Sequence, residues 1–179
     1  MFKKPLLITF EGIEGSGKSY HSKRLFTKAA KMNLPVMYTR EPGGAKSAEQ
    51  IRKLILNGNK NKFDKFTDAL LYLAARNENF KKKILPSLKN KKIIICDRFI
   101  DSTIAYQTYG YGINKKIINL IHNEILNNIK ADFTFLLTIG IKNSIKRVSS
   151  KKNINRYDRL SKEFYLKVQN GFKKLSKLN

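Results

Sequence analysis

The chain has 179 residues, of which 41% are hydrophobic, and a formal net charge of +24 at pH 7; this length supports one domain over residues 1–179 and is short for two. No stretch reaches the roughly 18 apolar residues of a membrane span, and the N-terminus meets a carboxylate too early for a signal peptide, so we expect a cytoplasmic protein without a membrane partner. The single cysteine, Cys96, excludes an internal disulfide.

Short apolar runs alternate along the chain with stretches of helical spacing. In chain order we predict a strand at 6–10, a helix at 18–32, a strand at 36–39, helices at 47–56 and 67–85, a strand at 92–96, a helix at 115–127, a strand at 133–139, a helix from about 142 and a final helix. Strands separated by crossover helices are typical of a parallel sheet. The predicted fold class is therefore α/β, with three layers and helices flanking a central parallel sheet.

A glycine-rich segment lies between the first predicted strand and the first predicted helix. Its residues match G-x-x-x-x-G-K-[ST] in the strand, loop and helix context that this motif requires: Gly12, Ile13, Glu14, Gly15, Ser16, Gly17, Lys18 and Ser19. The backbone N–H groups of such a loop surround a β-phosphate, the lysine reaches the β- and γ-oxygens, and the hydroxyl suits Mg²⁺. The motif therefore predicts a P-loop that binds phosphate.

Asp97 and Arg98 directly follow the third predicted strand. Ligands bind at the carboxyl edge of an open parallel sheet, so we expect both side chains beside the P-loop. An aspartate there can hold Mg²⁺ through water, and an arginine can bind a phosphate through two parallel hydrogen bonds. Taken alone, the dipeptide would favour an ion pair at the surface.

Five segments together resemble the thymidylate kinases of the bacterial type, in the family's order and over nearly the whole chain. They are "TFEGIEGSGKS", "TREPGGAKSAEQIRKLIL", "ALLYLAARNE", "DRFIDSTIAYQ" and "NRYDRLSKEFYLKVQNGF". The resemblance implies a P-loop NTPase fold with a five-stranded parallel sheet, ATP and Mg²⁺ as cofactors, and phosphorylation of dTMP to dTDP. It also implies a homodimer.

The resemblance assigns seven residues to the acceptor nucleotide. They are Glu14 near the sugar 3′-hydroxyl, Arg52 and Arg98 on the phosphate, Tyr72 stacked on the base, Arg76 at the thymine carbonyl, and Thr103 and Gln107 along the pyrimidine edge. Tyr72 and Arg76 are four residues apart, as are Thr103 and Gln107, so each pair shares one face of a helix.

The resemblance also implies a lid at about residues 149–159, "SSKKNINRYDR". Arg156 aligns with an arginine of the family's lid, and Lys151 or Lys152 occupies a more advanced lid position. The implied catalytic set comprises these three lid residues with Lys18, Asp97 and Arg98, and the implied metal site comprises Ser19 and Asp97. Because a phosphate monoester is largely dianionic at pH 7, we interpret Asp97 as organising metal and water instead of accepting a proton.

Two features leave other functions open. The family continues beyond the position of Asn179 into a fifth strand and a closing helix, so we expect an exposed sheet edge and a reduced adenine pocket here. A catalytically inactive nucleotide-binding remnant and a kinase for another pyrimidine nucleotide are therefore alternatives. The charge of +24 suits nucleic-acid binding, but its lysines are spread along the whole chain, so we expect no stable nucleic-acid partner.

Overall fold

The computed structural model describes residues 4–59, 62–150 and 155–178. Its strands are β1 Leu6–Glu11, β2 Val36–Arg40, β3 Ile93–Asp97 and β4 Phe133–Leu136. They form one sheet in the order β2-β3-β1-β4, and every pair is parallel. The parallel sheet predicted from the sequence is confirmed, although β4 ends earlier than the predicted 133–139.

Helices connect and flank the strands. Their bounds are α1 Lys18–Lys31, α2 Lys46–Leu56, α3 Lys65–Asn79, α4 Leu85–Lys89, α5 Ile100–Thr103, α6 Lys115–Leu126, α7 Ile141–Ser149 and α8 Lys162–Leu175, with π-helical turns at Phe80–Ile84 and Ile104–Gly110 and a 3₁₀ turn at Arg156–Arg159. Within the described ranges, none of these helices has the length and apolar character needed to cross a membrane.

The helix that was predicted to end before Pro86 continues past it. The π-helical turn Phe80–Ile84 joins α3 to α4, and Pro86 lies in the first turn of α4. Pro86 has no N–H group to donate to the preceding turn, and the helix accommodates it directly after the π-helical turn, where the regular hydrogen-bond pattern is already interrupted. The sequence-based end of this helix was therefore wrong.

The strand β3 is the central apolar element of the sheet, and all five of its residues are buried. Buried side chains of β1, β3, the segment 99–106, α6 and α8 form one continuous core cluster. The edge strand β4 differs, since Phe133 and Phe135 are 57% and 50% exposed. In the pairing of β1 with β3, Phe10 lies opposite Asp97. The segments that follow these two strands therefore start side by side at the carboxyl edge.

Candidate active site

The P-loop occupies the turn between β1 and α1. Gly12, Gly15 and Gly17 all have positive φ angles, and a side chain at Gly12 would collide with the carbonyl oxygen of Leu137. Lys18 is 6% exposed, and its ammonium group donates a hydrogen bond to the Ile13 carbonyl oxygen at 2.6 Å. Burial, reinforced by the charge of a neighbouring arginine, lowers the pKa of Lys18 to about 7.

The lowered pKa of Lys18 predicts proton uptake when ATP binds. At about pH 8 most of the free protein has a neutral lysine, and the phosphates of a bound triphosphate restore its charge. We expect uptake approaching one proton per site at about pH 8 and clearly less at about pH 6, measured by calorimetry in two buffers of different ionisation enthalpy. Lys18→Met is the control and takes up no such proton; equal heats in both buffers for the unaltered chain contradict the prediction.

Ser19 and Asp97 form a pair of oxygen donors below the loop. The Ser19 hydroxyl donates a hydrogen bond to Asp97 Oδ2, while the buried Asp97 Oδ1 has no partner among the described residues. Those residues contain no group of three or more carboxylate, imidazole or thiol side chains placed to hold a metal. Two protein oxygens are enough for Mg²⁺, because this ion keeps several waters and takes phosphate oxygens as further ligands.

Arg98 spans the space between the P-loop and the segment that follows β3. Its Nη1 donates to the Gly12 carbonyl oxygen at 3.0 Å, and its Nη2 donates to Glu14 Oε1 at 2.9 Å. The Tyr106 hydroxyl also donates to Glu14. Burial alone would raise the pKa of Glu14, but Arg98 and Lys18 hold it below its ordinary value. Glu14 therefore stays ionised at neutral pH.

Arg76 lies at the other end of the same space and is 3% exposed. Its Nε donates to Glu41 at 2.6 Å, its Nη1 contacts Thr103 at 2.7 Å and His122 Nε2 at 2.5 Å, and its Nη2 donates to the Phe99 carbonyl oxygen at 2.7 Å. Burial and Arg76 lower the pKa of His122 to about 2, so this imidazole is a neutral acceptor. These contacts use four of the five N–H groups of the Arg76 guanidinium, and one N–H on Nη2 takes part in none of them.

These groups line one cleft of about 510 Å³. Twelve of the residues singled out from the sequence line it: Glu14, Gly15, Gly17, Lys18, Ser19, Arg52, Tyr72, Arg76, Asp97, Arg98, Thr103 and Gln107. Gly12, Ile13 and Ser16 lie in the P-loop backbone beside it. Gln107 is 1% exposed, and its Nε2 has no hydrogen-bond partner among the described residues. One cleft thus contains both the P-loop and the buried polar side chains of Arg76, Thr103 and Gln107.

A family model described as thymidylate kinase matches residues 10–179. The chain belongs to the thymidylate kinase family. The thymidylate kinase of Wolbachia pipientis wMel is 44% identical over 174 residues, which cover 96% of this chain and 85% of that protein. The enzyme of Ehrlichia ruminantium (strain Gardel) is 43% identical over 176 residues, with 97% and 84% covered.

A solved structure of thymidylate kinase from Ehrlichia chaffeensis superposes with a TM-score of 0.81 at 37% identity, covering 98% of this chain and 83% of that one. The predicted α/β fold of the P-loop NTPases is therefore confirmed. Family membership makes the chain a phosphotransferase of the nucleoside monophosphate kinase class. It also implies a nucleotide substrate and phosphoryl transfer that depends on Mg²⁺.

The lid arginine proposed from the family resemblance does not lie in the cleft. The Arg156 side chain is buried, and its guanidinium donates to the Ile55 carbonyl oxygen and to the buried carboxylate of Asp68. A buried carboxylate needs a cation and hydrogen-bond donors, and Asp68 obtains them from Arg156 and the Tyr157 hydroxyl. In this arrangement Arg156 anchors the 3₁₀ turn to α3, and its catalytic role stays a prediction. Lys151 and Lys152 lie outside the described residues.

The sequence analysis did not identify Arg147, on α7, as a site residue. Its Nη1 donates to the Gly15 carbonyl oxygen at 2.9 Å, and the residue lines the cleft. Ser144, three residues earlier on the same helix, donates to the Glu14 carbonyl oxygen at 2.7 Å. Two polar residues one helical turn apart on the helix before the predicted lid were the available signal. Tyr106 and Tyr157 also line the cleft and were missed.

Proposed function

We propose that this chain transfers the γ-phosphoryl group of ATP to dTMP and releases ADP and dTDP. The buried Nε2 of Gln107, which lines the cleft and has no hydrogen-bond partner among the described residues, carries this proposal. Together with the remaining N–H of Arg76 it offers hydrogen bonds to the edge of a planar base. The P-loop lies in the same cleft, so a bound nucleotide monophosphate directs its phosphate toward Lys18 and Arg98.

The acceptor's base and phosphate have separate partners in the proposal. Tyr72 stacks on the thymine; its ring already has an edge contact with Tyr157 at 5.7 Å between centroids. Arg52 and Arg98 bind the 5′-phosphate, and Glu14 lies near the sugar 3′-hydroxyl. Arg52 is restrained by a hydrogen bond to the Pro42 carbonyl oxygen at 2.6 Å, which holds its guanidinium at the wall of the cleft.

In the proposed reaction an oxygen of the dTMP phosphate forms a bond to the γ-phosphorus of ATP, and the bond from that phosphorus to the β,γ-bridging oxygen breaks. The attacking phosphate is mostly dianionic at pH 7, so the step needs no general base. Lys18 and Arg98 neutralise charge on the transferring oxygens. Ser19 and Asp97 would hold Mg²⁺, which supplies charge neutralisation at the β- and γ-phosphates.

Initial rates of ADP formation with dTMP, dUMP and UMP test the acceptor. We expect dTMP to be preferred, and we expect Gln107→Leu to lower kcat/KM for dTMP by about 10²-fold because a buried hydrogen bond to the base is lost. Gln169→Leu is a matched control, since this glutamine lies outside the cleft and bonds the Ile139 carbonyl oxygen at 3.1 Å. Equal rates with all three acceptors would favour a kinase of broader pyrimidine range.

We also propose a homodimer, which the family resemblance supports. One domain over residues 1–179, supported by the length of the chain, and a cytoplasmic location are proposed as well. Analytical ultracentrifugation at micromolar concentration tests the dimer. A sedimentation coefficient of the monomer at every concentration up to about 100 μM would contradict it.

A further inference from the structure

Glu11 is a buried carboxylate that the proposed reaction does not use. It is the last residue of β1, immediately before Gly12, and it is 1% exposed. Its carboxylate accepts hydrogen bonds from the Phe99 N–H at 2.7 Å, the Ser102 N–H at 3.3 Å and the Ser102 hydroxyl at 2.5 Å. A side chain of the strand before the P-loop thus satisfies backbone N–H groups of the segment that follows Arg98.

That segment needs such support because Arg98 has an unfavourable backbone conformation. Its φ of +73° lies in the left-handed region, which a residue with a large side chain adopts only when its surroundings hold it there. The Arg98 N–H donates to the Phe10 carbonyl oxygen at 3.0 Å, and the next N–H, of Phe99, donates to Glu11. Two successive N–H groups are therefore held by the last two residues of β1.

Ser102 extends this contact to the guanidinium of Arg98. The Ser102 hydroxyl donates its one proton to Glu11, so its lone pairs are free to accept a hydrogen bond from Arg98 Nη1 at 3.1 Å. The same Nη1 donates to Gly12, and Nη2 donates to Glu14. A continuous series of hydrogen bonds therefore runs from Glu11 through Ser102 to Arg98 and the P-loop.

We propose that Glu11 is a positioning residue that fixes residues 99–102, at the start of α5, and with them the Arg98 guanidinium, relative to the P-loop. This inference rests on the proposed function in that Arg98 binds the acceptor's phosphate. Loss of Glu11 displaces Arg98, while the P-loop keeps the conformation set by its own glycines. Binding of dTMP and phosphoryl transfer therefore suffer, and binding of ADP does not.

The charge of Glu11 contributes to the positioning of Arg98. Burial raises the pKa of Glu11 to about 7, and the charge of Asp101 makes a smaller contribution in the same direction. The hydrogen bond from Ser102, the charge of Arg98 and the hydrogen bond from the Phe99 N–H act in the opposite direction. Lys18 and Cys96 also interact electrostatically with Glu11. Ionised Glu11 draws the Ser102 proton to itself, whereas protonated Glu11 competes for the oxygen that accepts from Arg98. We therefore expect kcat/KM for dTMP to fall as the pH drops through about 7.

The same shift has the opposite sign for stability. The folded pKa exceeds the unfolded value of 4.5, so the folded protein binds more protons between about pH 4.5 and 7. The stabilisation is complete below pH 4.5 and is lost as the pH rises through about 7. In Glu11→Gln this contribution to the pH dependence of the urea midpoint is absent.

The test compares Glu11→Ala and Glu11→Gln with Ile84→Ala, a core truncation away from the cleft. We expect Glu11→Ala to raise the KM for dTMP about 10-fold and lower kcat about 10²-fold, with the Kd for ADP within about 3-fold. Glu11→Gln, which keeps an acceptor oxygen for the two amides, is expected between Glu11→Ala and the unaltered chain, without the pH dependence near 7. Equal losses for dTMP and ADP, or the same pattern in Ile84→Ala, would overturn the proposal.

Amide hydrogen exchange keeps the inference separate from the proposed function. The neutral amide oxygen of Glu11→Gln accepts more weakly than the carboxylate, so in this variant we expect the amide protons of Phe99 and Ser102 to exchange about 10-fold faster, while the amide protons of α6 stay unchanged. This holds even if dTMP is not the acceptor, in which case the unaltered chain shows no turnover with dTMP and the proposed function alone fails. Unchanged exchange at Phe99 and Ser102 would contradict the positioning role. This measurement on Glu11→Gln still tests the proposal if Glu11→Ala does not fold.

Discussion

Replacement of Arg98 by methionine is expected to lower kcat/KM for dTMP by about 10³-fold, because an arginine that neutralises phosphoryl oxygens contributes on that scale. Arg98 is the one guanidinium that bonds both the backbone of the P-loop, at Gly12, and the carboxylate of Glu14 within the described residues. Methionine keeps much of the side chain's volume and removes its charge and all of its donors. The measurement is steady-state ADP production with ATP and Mg²⁺ at varied dTMP.

Arg98→Lys separates charge from geometry in the same assay. Lysine retains the positive charge but lacks the planar fork that bonds Gly12 and Glu14 at once. We expect its kcat/KM to lie between those of the unaltered chain and Arg98→Met. A loss below about 10-fold in Arg98→Met would remove Arg98 from the transition-state interactions and contradict its assigned role.

Replacement of Arg156 by methionine is expected to destabilise the fold by about 3–5 kcal/mol, because it leaves the carboxylate of Asp68 buried without its cation. Asp68 is 3% exposed, and in the variant it keeps the hydrogen bond from the Tyr157 hydroxyl at 2.6 Å but loses its cation. The free energy of unfolding from urea titrations measures the loss.

The double variant Arg156→Met with Asp68→Asn distinguishes an anchor from a catalytic residue. Asparagine removes the unpaired charge and still accepts a hydrogen bond from Tyr157. We therefore expect the double variant to recover most of the stability and turnover that Arg156→Met loses. A catalytic arginine would not be replaced by a change at Asp68. Recovery of stability with turnover still reduced about 10²-fold or more would support the catalytic assignment of Arg156.

The sequence predicted the site wherever function depends on local geometry. The P-loop is a continuous segment whose glycines have positive φ, and Asp97 follows a strand that is apolar at each of its first four positions, so both were found from spacing and pattern alone. The parallel pairing of β1 with β3 then explains why these two segments meet. Gln107 and Arg76 were identified through family resemblance, since a buried amide and a helical arginine carry no such local signal.

Contacts between residues distant in the sequence decide the features that the sequence did not predict. Whether Arg156 reaches the cleft depends on Asp68, which is 88 positions away and whose burial is a property of the folded core. The helix end at Pro86 depends on a π-helical turn that no propensity scale encodes. Glu11 directly follows the strand predicted at 6–10 and carries no local signal of a role, because its contacts with Phe99 and Ser102 arise only when β1 and β3 pair.

The central claim is that this chain phosphorylates dTMP, and a transfer experiment with ATP labelled at the γ-phosphate tests it most directly. The chain is mixed with labelled ATP, Mg²⁺ and dTMP, and the products are separated by chromatography. We predict label in dTDP, with little transfer by Arg98→Met under the same conditions. Binding of ATP and dTMP to the well-folded chain with no label in dTDP would contradict the account and identify a nucleotide-binding protein without kinase activity.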